Sequence, residues 1–261
     1  MVSQTSRPAV ARRPRAYVAV VGPDAADYLQ RMVSNDVEAL QVGEACDALL
    51  LTPKARVIAT LRIWRRGQDD FLLLTEPELG EAVLRELRRL RFAAKCQIDP
   101  EQHTSTLVFG GEEGIPNDEY GRSARELLDV ELEPTLEEPE LERMRIEAAT
   151  PRFGRELDDR VLPAEAGLDE THISFTKGCY PGQEPVARLH YRGHVNRRLR
   201  VLEIESAEPG APVLHEGTVV GRITSAVPGL ALAYVRSAVP AEAELSVEGR
   251  VARLHLPSAR P

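Results

Sequence analysis

Hydrophobic and polar positions along the chain change period several times, and each change marks an element. Residues 17–21 are a β-branched apolar run stopped by Gly22-Pro23, which reads as a strand. Asp24 then stands where a helix cap is expected, ahead of Ala25, Tyr28, Leu29 and Met32 at helical spacing. Asn35-Asp36 closes that helix with residues that tolerate turn geometry. Residues 48–52 and 56–63, joined by a Pro53-Lys54 turn, read as paired strands, and 71–75 as a third. The spacing of Leu79, Val83, Leu87, Leu90 and Ala94 predicts a helix over 78–94, with arginines on its other face. This order predicts an antiparallel sheet backed by helices on one face.

Further along, 104–109 reads as a strand, 110–114 as a loop and 123–132 as a helix. The acidic stretch 131–142 carries Pro134 and Pro139 and reads as a solvated loop. A short helix over 141–148 is expected to end at Thr150-Pro151. From residue 199 the pattern shortens. The apolar runs 199–204, 219–224, 230–235, 243–247 and 251–256 alternate with Pro-Gly and Glu-Gly turn signals, as in a small barrel or sandwich. The expected fold class is therefore α+β, with residues 1–15 as a loose tail, 16–198 as an α+β region and 199–261 as a small antiparallel β-barrel.

Composition narrows the function classes. A chain of 261 residues has room for more than one compact unit. No apolar run approaches the ~20 residues that cross a bilayer, and the Arg- and Pro-rich start lacks the apolar centre of a secretory signal. Cys46, Cys96 and Cys179 are too few and too dispersed for a disulfide framework, which points to a reducing, cytoplasmic setting. A net charge of −8 argues against non-specific coating of nucleic acid. One basic run departs from this balance, from Arg188 through Arg192, Arg197 and Arg198 to Arg200, and reads as a solvated face or as a site for an anionic ligand. His190 and His194 have the spacing of a zinc pair, but Gly193 lies between them and no third ligand is evident.

The densest chemistry lies in Lys177-Gly178-Cys179-Tyr180-Pro181-Gly182-Gln183-Glu184. Two glycines and a proline keep this stretch out of regular structure, a small neighbour opens the sulfur to approach, and a nearby cation favours the thiolate. The alternative is a buried cysteine beside a tight turn.

This stretch resembles the K-G-C-[FY]-x-G-Q-E signature of the YgfZ family, folate-binding proteins related in fold to the glycine-cleavage T-protein. G-P-D-A around Asp24, S-N-D-V at 34–37, L-T-P-K-A-R at 51–56, L-P-A-E-A-G-L around Glu165, and G-R-I-T-S-A at 221–226 resemble further family blocks. Ala55 and Ala149 stand where the family pattern leads us to expect glycine. The resemblance implies a T-protein-like folate-binding α+β module with a carboxy-terminal small β-barrel. It implies tetrahydrofolate or a one-carbon derivative as cofactor, and a role supporting iron–sulfur enzymes, including some that modify tRNA, through client or assembly proteins. Cys179 and Lys177 are then the expected catalytic pair. Asn35, Asp36, Glu165, Gly178, Tyr180, Gly182, Gln183, Glu184 and Arg188 are the expected folate-binding residues, with Glu165 gripping the pterin. Two other readings stay open: aminomethyl transfer of the glycine-cleavage type, and RNA binding by the basic run. The global acidity and the scarcity of aromatics near that run disfavour the second.

Overall fold

The first hundred residues build a five-stranded antiparallel sheet whose central strands are buried on both faces. The strands are β2 (Ala16–Val21), β3 (Ala45–Leu51), β4 (Val57–Gly67), β5 (Asp70–Thr75) and β6 (Gln97–Glu101), in the spatial order β3-β4-β5-β2-β6. The structure is a computed structural model describing residues 8–255. Helices α1 (Ala25–Met32) and α2 (Gly80–Leu90) cover one sheet face. Tyr28, Leu29, Val83 and Leu87 pack there against Val18, Val20, Leu61, Ile63 and Leu73. The predicted sheet and its helical backing are thus as observed, with β6 as an additional edge strand.

Three local expectations need correction. Asp24 precedes α1, but its carboxylate accepts from the Lys95 backbone N–H (2.7 Å) instead of capping the helix. Helix α2 stops at Leu90, short of Ala94, and Phe92 then takes a left-handed φ of 44° that no α-helix continues through. Residues 123–132 form no helix: Ala124–Leu128 is strand β9, because pairing with two neighbours outweighs the helix preference of its Leu and Glu residues.

Strand β9 belongs to a second antiparallel sheet in the order β1-β7-β9-β8, made with β1 (Val10–Arg12), β7 (Ser105–Phe109) and β8 (Ile115–Asn117). Residues 8–15 are therefore not a loose tail: β1 pairs with β7, and Arg13 is buried. Residues 1–7 lie outside the described residues. Ile115 and Leu128 of this sheet meet Tyr17, Ala19, Leu72 and Leu74 on the uncovered face of the first. The layers are thus helices, sheet and sheet. The end of the acidic stretch is also ordered, since α3 (Glu138–Glu147) starts there with Pro139 in its first turn and a Glu137/Glu140 capping box.

The chain ends in a closed six-stranded barrel of β10 (Arg197–Ile204), β11 (Pro212–His215), β12 (Thr218–Val227), β13 (Gly229–Arg236), β14 (Glu244–Val247) and β15 (Arg250–Leu254). Closure removes the exposed edges. Sequence patterning missed β11, which is only four residues long. Leu199 and Val201 of β10 and Leu230 and Leu232 of β13 pack on Ile146 of α3, fixing the barrel to the rest of the chain.

Candidate functional site

Where the two sheets, the end of α3 and residues 166–172 meet, they enclose a cavity of about 160 Å³. Its walls are unusually charged. Arg13 reaches Glu76 with two hydrogen bonds (2.6 and 3.0 Å) and Glu119 with a third (3.2 Å). Arg15 bridges Glu119 (2.6 Å) and Glu126 (2.9 Å). Behind the wall, Glu126 also accepts from Ser105 Oγ (2.6 Å) and Asn117 Nδ2 (3.0 Å), so a fully buried carboxylate is satisfied on all sides. Arg62 forks onto Asp47 (2.8 and 2.9 Å). Burial would raise the Glu119 carboxyl, but Arg15, Arg13 and Arg62 outweigh it and hold the group well below the usual carboxylate range. Two wall atoms are left over. The Tyr120 hydroxyl and Nε of Arg152 are buried without a hydrogen-bond partner among the described residues.

The cysteine stretch lies outside this wall. Cys179 is exposed, on a loop leading to α4 (Gln183–Arg192). Gly178 borders open space, since a side chain there would meet nothing within 4 Å. Gly182 has φ 85°, and a Cβ on it would sit 2.6 Å from the Thr52 carbonyl oxygen, so the loop docks on the Thr52–Ala55 turn only through a glycine. Tyr180 is buried beside Ala55 and Val57. Gln183 and Glu184 belong to the first turn of α4, and Arg188 is on its exposed side.

Lys177 has a different role from the one its position suggests. Its ammonium donates to the carbonyls of Gln30 (2.6 Å), Val33 (2.7 Å) and Asn35 (2.7 Å), at and just beyond the end of α1. All three protons are engaged there, where carbonyls point out of the helix end and favour a cation. In this arrangement the ammonium expected to activate Cys179 is committed to these carbonyls. Burial pulls its pKa down to about 8, so it stays mostly protonated at neutral pH.

Asn35 and Asp36 are also structural in their contacts. Asn35 Nδ2 donates to the carbonyls of Asp47 (2.7 Å) and Thr171 (3.3 Å), while Asp36 accepts from Gln30 Nε2 (3.0 Å). Ser34 Oγ donates to the His172 carbonyl (2.6 Å) and accepts from Leu49 N–H (2.8 Å). Glu165 is the third residue of a short 3-10 turn, accepting from Leu162 N–H (3.0 Å) and pairing with Arg197 of β10 (3.0 Å). Its carboxylate joins the barrel to the module, and Glu165 is not among the residues lining the cavity. His190 stacks on Phe175 with ring centroids 3.8 Å apart.

None of the expected catalytic or folate-binding residues lines the cavity, although Ala166, Gly167 and Leu168 of the L-P-A-E-A-G-L block and Ala149 do. Ser34 and Asn35 of the S-N-D-V block stand behind its wall and hold Asp47, Thr171 and His172, which do line it, and Lys177 of the K-G-C block holds Asn35 in turn. The wall residues Arg13, Arg15, Glu119, Tyr120 and Arg152 escaped sequence reading. Arg13 and Arg15 fall in the stretch read as a loose tail, where the Arg-Pro-Arg between β1 and β2 is the one signal that could have found them.

Comparison with known proteins agrees with this architecture. Residues 15–111 match the family described as GCVT N-terminal domain, and residues 196–261 match the CAF17 C-terminal beta-barrel domain. An uncharacterized protein of Haemophilus influenzae is 28% identical, over 80% of this chain and 81% of its own. A protein of Vibrio vulnificus named tRNA-modifying protein YgfZ is 27% identical, over 75% of this chain and 69% of its own. The chain spans half the length of the curated aminomethyltransferases it matches. In fold it is similar to the crystal structure of glycine cleavage system aminomethyltransferase T from Bartonella henselae, with a TM-score of 0.82 and 17% identity, covering 96% of this chain and 86% of that one. The chain therefore joins a match to the GCVT N-terminal domain with a match to the CAF17 C-terminal β-barrel, and is similar to proteins named tRNA-modifying protein YgfZ.

Proposed function

We propose that the protein binds tetrahydrofolate or a one-carbon derivative in the central cavity, and that with Cys179 as functional thiol it supports the assembly or maintenance of iron–sulfur enzymes, tRNA-modifying ones among them. The carrying observation is the charged and polar lining of the cavity, where the buried Tyr120 hydroxyl has no hydrogen-bond partner among the described residues and Arg152 Nε has only Glu76 at 3.9 Å. A buried polar atom without a partner costs about 1–3 kcal/mol, and a ligand that bonds it recovers that amount. The residues fit a polar heteroaromatic ring. Tyr120 and Arg152 offer hydrogen bonds to ring nitrogens or a carbonyl, and Asp118 and Glu170, both exposed and on the lining, accept ring N–H donors. At about 160 Å³ the cavity is smaller than a typical drug-sized pocket of roughly 300–1,000 Å³, so it suits one ring system with the remainder of the ligand outside.

Anaerobic calorimetric titration with tetrahydrofolate tests the reading. Saturable binding at micromolar or tighter affinity, about −8 kcal/mol, is expected, and Tyr120→Phe should weaken it about fivefold. No binding up to millimolar ligand sinks the folate assignment. Cys179→Ala and Cys179→Ser should both lose support of iron–sulfur enzyme activity in cells lacking the native protein. Release of ammonia from an aminomethylated carrier protein and tetrahydrofolate would instead favour the aminomethyltransferase reading that the fold also permits.

A further inference from the structure

We propose that occupancy of the central cavity governs the reactivity of Cys179, through a clamp made by Asn35 and Lys177. The proposal deepens the folate reading and takes its probe from it. A continuous run of hydrogen bonds joins the two places. On the cavity side, the carbonyls of Asp47, Thr171 and His172 accept from Asn35 Nδ2 and Ser34 Oγ. On the far side, the Asn35 carbonyl accepts from Lys177 Nζ (2.7 Å), two residues from the thiol. A second strut closes the ring, since Ser174 N–H donates to the Ser34 carbonyl (3.0 Å) and so ties the chain between wall and loop to the same block. Wall, clamp and loop therefore share backbone groups, and displacement of one displaces the others.

Glycines flank the thiol on both sides. Gly178 borders open space, and the left-handed Gly182 marks the point where the loop meets α4. Clamped, all three Lys177 protons are on carbonyls. Released, the ammonium is free to approach Cys179 and favour its thiolate. A ligand that braces the 170–172 wall and Asp47 holds the clamp closed and slows the thiol.

The test uses 5-formyltetrahydrofolate, a folate stable to air, with iodoacetamide alkylation of the full-length protein read at Cys179 by peptide mass spectrometry. Mapping by peptide keeps Cys46 and Cys96 out of the signal. In the native protein, saturating ligand should slow Cys179 alkylation at least threefold. Lys177→Met, which removes the clamp and the activating ammonium together, should bring the ratio with and without ligand to 1 while the ligand still binds, with no rise in the ligand-free rate. Asn35→Ala, which loosens the clamp and keeps the lysine, should also bring the ratio to 1 but raise the ligand-free rate at least threefold, and it stands alone as the test if Lys177→Met folds poorly. Calorimetry on the same samples separates the failures. Saturable binding with an unchanged or faster native rate overturns the coupling and leaves the folate reading standing, whereas absence of binding overturns both. Variants that bind ligand yet keep the native ratio also overturn the clamp.

Discussion

Single residues at turns carry much of what makes this sequence adopt this geometry. Gly182→Ala places a Cβ 2.6 Å from the Thr52 carbonyl oxygen on a backbone already at φ 85°, so both sterics and φ oppose it. We expect a loss of about 3 kcal/mol in urea unfolding; a loss under 0.5 kcal/mol would mean that the loop does not dock as described. The opposite sign is expected at Ala149. Both alanines found in place of expected glycines do adopt left-handed backbone, Ala55 at φ 58° and Ala149 at φ 54°. Ala149→Gly should stabilise by about 0.5–1 kcal/mol. Ala55→Gly should be near neutral, because the Ala55 methyl is buried against Tyr180 and Val57 and its packing offsets the strain. At this scale the sequence was legible where backbone conformation restricts the residue type. It was misleading at Lys177, because proximity along the chain says nothing of the helix end, some 140 residues earlier, to which its ammonium bonds.

Elements were legible in proportion to how far local pattern decides them. The amphipathic α1 and the alternating barrel strands announce themselves, whereas β9 reads as a helix until its partners are known. Its Glu126 would be a solvent-facing helix residue in that reading, but in the sheet it meets Arg15. One clasp between elements gives a pH-dependent prediction. His103 donates or accepts at both ring nitrogens, to Glu101 of β6 (2.8 Å) and to Asp129 just past β9 (2.7 Å), so it joins the two sheets. Arg66 of β4 shares Glu101 (2.6 Å), and the Tyr17 ring of β2 lies edge-on to the imidazole at 5.1 Å. Burial disfavours the imidazolium, but the two carboxylates outweigh it and raise the pKa above the ordinary 6.5. The stabilisation is therefore fully present below pH 6.5 and is lost as pH rises through the folded value. His103→Gln should be destabilising by somewhat under 1 kcal/mol at pH 5.5, the pair being partly screened by solvent, and by less at pH 8. Equal losses at both pH values would show that the clasp is a packing contact only.

For the whole molecule, the charged cavity is the joint at which both sheets and α3 converge, and this makes acid the condition to which the fold is most exposed. Burial would raise the carboxyls of Glu76 and Glu126, but Arg13 and Arg15 outweigh it and lower them, and the Glu119 carboxyl lies lower still. Because these groups titrate lower in the fold than the ordinary 4.5, the unfolded chain takes up protons first. Their stabilisation is complete above about pH 4.5 and is lost as pH falls through the folded values. The barrel is tied into the same web. Arg145 of α3 pairs with the buried Glu156 (3.0 Å), which accepts from Ser225 Oγ of β12 (2.6 Å), and the Tyr234 hydroxyl of β13 donates to the Glu156 carbonyl (2.9 Å). No sequence pattern reveals such a web, since its members are scattered from Arg13 to Tyr234 and each alone looks like a surface charge or a core aromatic. Its contribution can be measured. Urea unfolding of the native protein should lose stability steeply between pH 5 and pH 3. Glu126→Gln should cost about 3 kcal/mol at pH 7, by leaving Arg15 with Glu119 as its remaining carboxylate partner, and should flatten the slope below pH 4.5, one buried carboxylate having been removed. Stability that stays level to pH 3 in the native protein would mean that packing alone holds the two sheets together, with the arginine–carboxylate web contributing nothing net.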